Sequence, residues 1–373
     1  MKVAIIHYWL ITRRGGEKVL ESILKLYPQA DIYTLFYDKE RYGPYLDGHN
    51  VFTSVLDIPF FRKRWQKLFP LYPIGINSLK LQDDYDLVIS SESGPAKGVK
   101  INNNALHICY VHSPMRYCWG FTKQYLDAIP IVFRPLASYF FRRLKKWDLT
   151  TVANVDYYIA NSMNVAGRVR EYYKRDSVVI YPPIATTLFD RGLQKNNKEY
   201  YLSFGAITPY KRIDLLVELF NKSSKKLIVI GEGSELNKLK KQANSNISFV
   251  GFLEEQLEET IQNARALIFP GEEDFGMIPL EVMSFGIPVV AYKKGGALET
   301  VIENRNKPEQ SSGVFFESQT VEALEKALLD FERNEDQFDP NWIRNHAKNF
   351  EESRFLLSFK QFIDKRIDRN NEA

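Results

Sequence analysis

Cysteine is nearly absent from this chain. Cys109 and Cys118 are the two it has, and no C-x-x-C occurs. That argues against a disulfide framework and a cysteine-based zinc site, and it fits a reducing cytoplasm. No run approaches the ~20 consecutive apolar residues of a membrane-spanning helix. The opening MKVAIIHYWL reads as an apolar strand and not as a signal peptide, because it gives way to Thr12-Arg13-Arg14 without a small-residue cleavage site. There is no low-complexity stretch and no sequence repeat. No nucleic-acid-binding motif appears. G-x-G-x-x-G is also missing, so no dinucleotide fingerprint is present.

What remains is the composition of a soluble globular protein, 45% apolar and 26% charged over 373 residues. That length predicts two domains. The net charge of +4 hides an asymmetry: residues 1–180 carry 25 Lys and Arg against 16 Asp and Glu, and the remainder carries 25 against 30. In the basic half, charges sit beside aromatics at Phe60-Phe61-Arg62-Lys63-Arg64-Trp65 and from Tyr139 to Trp147. Such clusters suit an anionic membrane surface. They also suit nucleic acid, or a solvated helix face with its rings in the core.

Strands and helices alternate, which predicts parallel sheets covered by helices on both faces. Val3–Tyr8, Ala30–Phe36, Leu87–Ser90, Ala105–Val111 and Tyr157–Ala160 read as strands, and Gly16–Leu26 as a helix. The pattern breaks at Tyr181-Pro182-Pro183 and restarts with strands at Tyr201–Phe204, Lys226–Ile230 and Ile247–Val250. Helices at Arg212–Phe220, Leu236–Gln242 and Glu254–Asn263 lie between and after them. The reading gives domains at 1–181 and 182–351, and an amphipathic segment over 352–373.

The segment Phe269–Tyr292, FPGEEDFGMIPLEVMSFGIPVVAY, carries the most chemistry. A strand, Ala266–Phe269, leads into a turn at Glu272–Gly276. A helix begins near Pro279, a residue tolerated in a first helical turn. Gly286 ends it before the strand Ile287–Tyr292. Backbone N–H groups around Phe275, Gly276, Met277 and Ile278 then face outward at a helix N-terminus, where an anion such as a diphosphate is favoured. Glu273 and Glu281 flank that point, eight residues apart, as acceptors for hydroxyls. Anion donors between hydroxyl acceptors fit a nucleotide sugar.

This segment resembles the E-x7-E signature of glycosyltransferase family 4, the retaining enzymes of GT-B fold. The resemblance covers essentially the whole chain. It is nearest to the O-antigen mannosyltransferase-type branch through Arg14-Gly15-Gly16-Glu17-Lys18-Val19-Leu20, His112-Ser113-Pro114-Met115-Arg116-Tyr117 and Phe269–Gly276. It implies two Rossmann-like domains with parallel sheets facing an interdomain cleft, and the C-terminal segment returning to the first domain. It implies a hexosyltransferase that moves a hexose, mannose from GDP-mannose, to a lipid-linked or cell-surface polysaccharide acceptor in O-antigen or lipopolysaccharide biosynthesis. The anomeric configuration is retained, and no metal or other cofactor takes part. A polyprenyl-diphosphate-linked acceptor places the enzyme in the cytoplasm, peripheral at the inner face of the membrane. Nucleic acid is not an expected partner.

By the same resemblance Gly15 and Gly16 form the glycine-rich donor loop. Arg14 and Arg116 lie on the acceptor side, and His112 lies near the reacting sugar, where an imidazole can bind a hydroxyl. His7 is similarly placed, and His107 reads as within its strand. Glu273 holds sugar hydroxyls and Glu281 the ribose. Lys211 matches the family's lysine. Ala206 stands where the family has arginine, and Arg212 is an extra cation nearby, with its compensation for that arginine left open by the spacing. Loops at Gly231-Glu232-Gly233-Ser234 and Gly251-Phe252-Leu253 line the base pocket. Asp84 and Asp86 form a D-x-D, the metal motif of a different glycosyltransferase fold, and read here as a solvated turn. A UDP- or dTDP-sugar donor, a sugar-nucleotide epimerase and a catalytically silent partner subunit are the alternatives. The intact E-x7-E argues against an epimerase.

Overall fold

A computed structural model describes residues 1–82, 84–101, 105–190, 192–193, 198–251 and 256–371. Asp83, Phe252, Leu253 and Glu254 lie outside the described residues. The chain divides into two compact units, Met1–Pro183 with Ser353–Ala373, and Ile184–Glu352.

Among the described residues, the first unit holds seven strands: β1 Val3–His7, β2 Asp31–Thr34, β3 Val51–Thr53, β4 Leu87–Glu92, β5 Leu106–Val111, β6 Tyr157–Ala160 and β7 Ser177–Val179. They lie in the order β3-β2-β1-β4-β5-β6-β7, all parallel. Every residue of β1 is buried. Its Val3 and Ile5 enter one apolar cluster, and Ala4 and Ile6 enter another. That is the period-two alternation of a strand covered on both faces.

The first cluster is closed by the helix Gly15–Leu26, through Val19, Leu20 and Ile23, and by the C-terminal helix Glu352–Asn371. The C-terminal helix presents Phe355, Phe359, Phe362 and Ile363 at i, i+4, i+7 and i+8, one apolar stripe. Each such side chain contributes about 1.5–3 kcal/mol when fully buried. The stripe therefore holds the helix to the first unit.

The described residues of the second unit form six strands: β8 Tyr200–Phe204, β9 Leu227–Ile230, β10 Ile247–Val250, β11 Ala264–Phe269, β12 Val289–Tyr292 and β13 Gly313–Phe316. Their order is β10-β9-β8-β11-β12-β13, again all parallel. In both units the chain starts a sheet in the middle, builds one side, and returns to build the other. The order reverses between β1 and β4 in the first unit and between β8 and β11 in the second. Crevices at such reversals, beyond the carboxyl ends of the strands, are where open α/β sheets bind ligands.

Among the described residues, no helix is long and apolar enough to cross a membrane.

Candidate active site

In the second unit, the loops that leave β8 and β11 meet. The loop after β8 runs from Gly205 through a short turn, Pro209–Lys211, to Arg212 and the helix Ile213–Asn221. The loop after β11 runs from Pro270 to Gly276. Gly271 lets them touch: a Cβ there would stand 3.0 Å from the Cα of Lys211 and 3.3 Å from the carbonyl oxygens of Tyr210 and Lys211. This approach places the Lys211 ammonium against the Glu273 carboxylate in an ion pair, each side chain about 15% exposed (14% and 15%). The ammonium also lies 5.6 Å from the Tyr210 ring centre and 5.8 Å from that of Phe269. The pair joins residues 62 positions apart.

Arg212 takes a different direction. Its backbone is left-handed, φ 55° and ψ 37°, a conformation that costs a non-glycine residue on the order of 1–3 kcal/mol. Its guanidinium forks onto Asp214, with Nε 3.1 Å from Oδ1 and Nη2 3.0 Å from Oδ2. Nη1 reaches the carbonyl of Gln319 at 3.5 Å. Gln319 in turn donates to the carbonyl of Pro270 at 2.8 Å. Lys211 is the cation brought to Glu273, and Arg212 braces the loops behind it.

Gly276 has φ 88° and ψ 72°, a conformation that favours glycine. The helix that follows is Met277–Met283, seven residues, with Pro279 in its first turn and Glu281 half-buried farther on. Phe275 is buried and packs on Phe350 with ring centres 5.8 Å apart. Ile278 reaches the Gly205 loop, where its Cδ1 lies 3.0 Å from the position of a Cβ on Gly205. The loop after β9 is zipped to the same loop: Ile207 donates to the carbonyl of Glu232 at 2.8 Å, and Glu235 donates to that of Ile207 at 3.1 Å.

Sequence reasoning passed over Lys294-Gly295-Gly296, the loop after β12. The N–H of Gly296 donates to the Glu273 carbonyl at 2.9 Å, and Lys294 pairs with Glu272 at 3.1 Å. A Cβ on Gly296 would lie 2.2 Å from the Cα and the carbonyl oxygen of Phe275. The backbone of 273–275 is thus seated directly on this glycine. The available signal was a Gly-Gly following an apolar strand, the same pattern read at Gly15-Gly16.

In the first unit, the register of β1 on β4 places His7 opposite Ser91, and His112 follows the end of β5. Ser91 Oγ lies 3.0 Å from His7 Nδ1 and 2.8 Å from His112 Nε2. His7 and Ser91 have no solvent exposure, and His112 is 9% exposed. Glu17, in the helix Gly15–Leu26, has Oε1 3.7 Å from His7 Nε2 and Oε2 2.9 Å from the N–H of Arg14. Gly16 is pressed onto this group: a Cβ there would stand 2.3 Å from the Tyr8 hydroxyl and 3.6 Å from His112 Nε2. The structure therefore gathers Gly16, His112 and His7, and adds Tyr8, Glu17 and Ser91. Burial, reinforced by the Glu17 charge, pushes the Tyr8 hydroxyl well above the usual tyrosine range.

Arg14 is exposed at the start of the helix, and Gly15 is its first residue. Arg116 is half-buried in the turn after His112, its guanidinium 5.3 Å from the Phe121 ring centre. His107 is buried within β5 and bonded to Ser90 and to the carbonyl of Asn154. Burial holds it at about 4.

Beneath His112 lies a charge cluster that sequence reasoning also missed. The carbonyl of Glu92 accepts from the N–H of His112 at 2.8 Å. The Glu92 side chain pairs with Lys97 at 3.4 Å, Lys97 pairs with Asp148, and Trp119 Nε1 donates to Asp148 at 2.8 Å. Glu92, Lys97 and Asp148 are fully buried. Burial raises Glu92 to about 7, against the opposing pull of Lys97. Burial also acts to lower Lys97, but Asp148 and Glu92 more than reverse it and hold the ammonium charged.

Asp86 accepts from the N–H of Lys2 at 2.7 Å. Among the described residues, no three His, Cys, Asp or Glu side chains are grouped to hold a metal ion.

Residues 184–349 match the model of the family described as glycosyl transferases group 1. The chain is 28% identical over 247 residues to the alpha-1,3/1,6-mannosyltransferase of Kluyveromyces lactis, covering 51% of this chain and 49% of that protein. It therefore spans about half the length of that relative. It is 22% identical over 351 residues to O-antigen chain mannosyltransferase C of Escherichia coli, covering 87% of this chain and 84% of that one. Solved structures that share the fold include two of nearly full coverage. HepE of Anabaena in complex with UDP covers 98% of this chain and 100% of its own, with TM-score 0.70 and 15% identity. Sucrose-phosphate synthase of Thermosynechococcus elongatus covers 99% and 100%, with TM-score 0.71 and 17% identity. The fold is GT-B, as the sequence led one to expect. The family match and the mannosyltransferase relatives support a glycosyltransferase.

Proposed function

We propose that this chain is a retaining hexosyltransferase of the E-x7-E type that takes mannose from GDP-mannose. The acceptor is a hydroxyl of a glycan carried on a polyprenyl diphosphate, in polysaccharide assembly of the O-antigen kind. The observation that carries the reading is the ion pair between Lys211 and Glu273. Without a donor each residue neutralises the other. A diphosphate arriving at Lys211 replaces one anion by another on the ammonium, a charge-assisted contact. Glu273 is then released toward the hydroxyls of the transferred sugar. Glu281 takes the ribose. The departing diphosphate receives the acceptor's proton on the face it leaves, so the protein's task is to position the reactants and stabilise developing charge. Mannosyltransferases among the relatives favour mannose. UDP in the HepE structure favours a second reading, a uridine nucleotide sugar on the same loops.

The test is a calorimetric screen of GDP-, UDP- and dTDP-sugars with chelator-treated protein, followed by product analysis. Binding and turnover are expected to survive EDTA. Activity lost with EDTA and restored by manganese would overturn the metal-free reading. Lys211→Met should lower affinity for the nucleoside diphosphate by roughly 10- to 100-fold, the range of a charged hydrogen bond, and leave the bare nucleoside unaffected. Equal losses for both would remove Lys211 from the diphosphate site.

Peripheral attachment to an anionic membrane belongs to the same proposal. The turn Ile131–Phe133 opens the helix Arg134–Thr150. Ile131 is 75% exposed, Val132 74% and Phe133 59%. Farther along, that helix exposes Arg142, Arg143 and Lys146. An apolar tip beside basic residues is suited to rings and stems at headgroup depth and charges at the surface. Elsewhere in the two aromatic clusters, Phe141 and Leu144 are buried, Arg62 pairs with Asp57 at 2.8 Å, and Lys145 lies 4.0 Å from the Trp119 ring centre, whereas Phe60, Lys63, Arg64 and Tyr139 are exposed.

A further inference from the structure

The hydrogen bonds around His112 carry a direction. Ser91 Oγ stands between two imidazoles, 3.0 Å from His7 Nδ1 and 2.8 Å from His112 Nε2. A hydroxyl has one proton to give. If Ser91 donates to His7, it accepts from His112, and His112 carries its proton on Nε2. If Ser91 donates to His112, His7 must carry a proton on Nδ1. Ser91 can also accept from both rings through its two lone pairs, which again needs a proton on His7 Nδ1, so the protonation of that nitrogen separates the arrangements.

Glu17 decides between them. Its Oε1 faces His7 Nε2 at 3.7 Å, outside hydrogen-bonding distance, and no hydrogen bond reaches that nitrogen among the described residues. A bare ring nitrogen pointed at a carboxylate sets lone pair against negative charge, whereas an N–H pointed there is attracted. A doubly protonated His7 would meet both demands, but it would bury an imidazolium with no solvent exposure, at a desolvation cost that a pairing at 3.7 Å repays poorly. The favoured state is a neutral His7 with its proton on Nε2. Its Nδ1 then accepts from Ser91, and Ser91 accepts from His112 Nε2–H.

We propose that Glu17, His7 and Ser91 are positioning residues that hold His112 in the Nε2–H tautomer, so that its Nδ1 is a hydrogen-bond acceptor for a hydroxyl. An imidazole held the other way would present a donor there instead. That the hydroxyl is a sugar's rests on the glycosyl-transfer reading. The tautomer does not, so the two can fail separately.

The rest of the chain supplies internal controls. His107 Nδ1 faces the carbonyl of Asn154 at 2.6 Å, so it must donate, and its Nε2 accepts from Ser90. His346 Nε2 faces the carbonyl of Thr300 at 2.8 Å and must donate. The experiment is ring nitrogen and Cδ2 NMR on histidine-labelled full-length protein near pH 8, assigned by loss of one signal in His112→Asn. His112 and His7 are expected with protonated Nε2 and bare Nδ1, like His346 and opposite to His107. Protonated Nδ1 with bare Nε2 on His112, or both nitrogens protonated on His7, would overturn the proposal. Glu17→Gln keeps an acceptor for the Arg14 N–H but removes the charge, and Ser91→Ala cuts the link. In either variant that melts as a folded protein, His112 should become a mixture of tautomers. A pure Nε2–H signal in both would show that these residues do not set it. Failure of the glycosyl-transfer reading would leave every one of these signals unchanged.

Discussion

Gly296→Ala adds one methyl group at the contact that seats the Glu273 loop. The backbone of Gly296, φ −65° and ψ −17°, is open to alanine, so the substitution brings no conformational strain. Its effect is steric. The new Cβ would lie 2.2 Å from the Cα and carbonyl oxygen of Phe275 and 2.4 Å from its carbonyl carbon. Carbon contacts settle at about 3.5–4.0 Å, so the two backbones must part by more than ~1 Å. No rotamer can relieve the overlap, because all three of these atoms belong to the main chain. Overpacking of this kind costs typically ~1–3 kcal/mol. The displaced turn carries Glu273, whose carbonyl is bonded to Gly296, and a 1 Å misplacement of a reacting group lowers rate by on the order of 10². Urea denaturation would read the first effect, and calorimetry with nucleoside diphosphates plus turnover would read the second. Gly167→Ala is the control: this glycine lies within the helix Met163–Tyr173 and has nothing within 4 Å of its Cβ position. Alanine there should stabilise by about 1 kcal/mol or less. Wild-type melting and turnover in Gly296→Ala would refute the steric reasoning. Lost stability with intact turnover would separate this loop from the chemistry.

Glu281→Gln should weaken nucleotide binding itself, whereas Glu273→Gln should spare nucleoside-diphosphate affinity and lower turnover by roughly 10²; equal losses of affinity by calorimetry would contradict that division. The raised proton affinity of Glu92, about 7 in the fold against an ordinary value of 4.5, means that the folded state binds the proton more tightly. Its contribution therefore favours folding at low pH and is lost as pH rises through about 4.5 to 7. Glu92→Gln should flatten that part of a stability curve measured by urea denaturation, and an unchanged slope would show that Glu92 is not responsible. Changing Ile131, Val132, Phe133, Arg142, Arg143 and Lys146 to Ser should abolish salt-sensitive co-sedimentation with anionic vesicles. Equal sedimentation of variant and wild type, or of anionic and neutral vesicles, would return this patch to ordinary surface.

The central strands were legible because their side chains are buried on both faces, which leaves continuous apolar runs. Tyr157–Ala160 and Ile247–Val250 occur where the sequence placed them, and β1 and β8 differ by one residue. The strands β3, β7 and β13 were not read. They have three or four residues, lie at sheet edges, and are only partly buried, so they lack the run that marks the others. Candidate site residues were chosen because they follow strand ends, where parallel sheets bind ligands. Their partners could not be chosen in this way. Ser91 meets His7 through a strand register across 84 positions, and no local pattern encodes a register. Lys97, in Gly-Pro-Ala-Lys-Gly, looks like a solvated turn until Asp148 arrives from 51 positions away. Arg212 looked like a second cation for a diphosphate because spacing says nothing of side-chain direction, and Asp214, two residues on, captures it.

Glycine offers a partial way around this limit. Gly16 lies against Tyr8 and His112, Gly271 against Lys211, and Gly296 against Phe275. Each follows a parallel strand, and each marks a place where another segment comes too close for a Cβ. A glycine after a buried strand thus reports a neighbour without naming it. Gly295-Gly296 carried that signal as plainly as Gly15-Gly16. Weighing both alike would have placed the loop after β12 in the site from sequence alone, leaving only the identity of its neighbour to the structure.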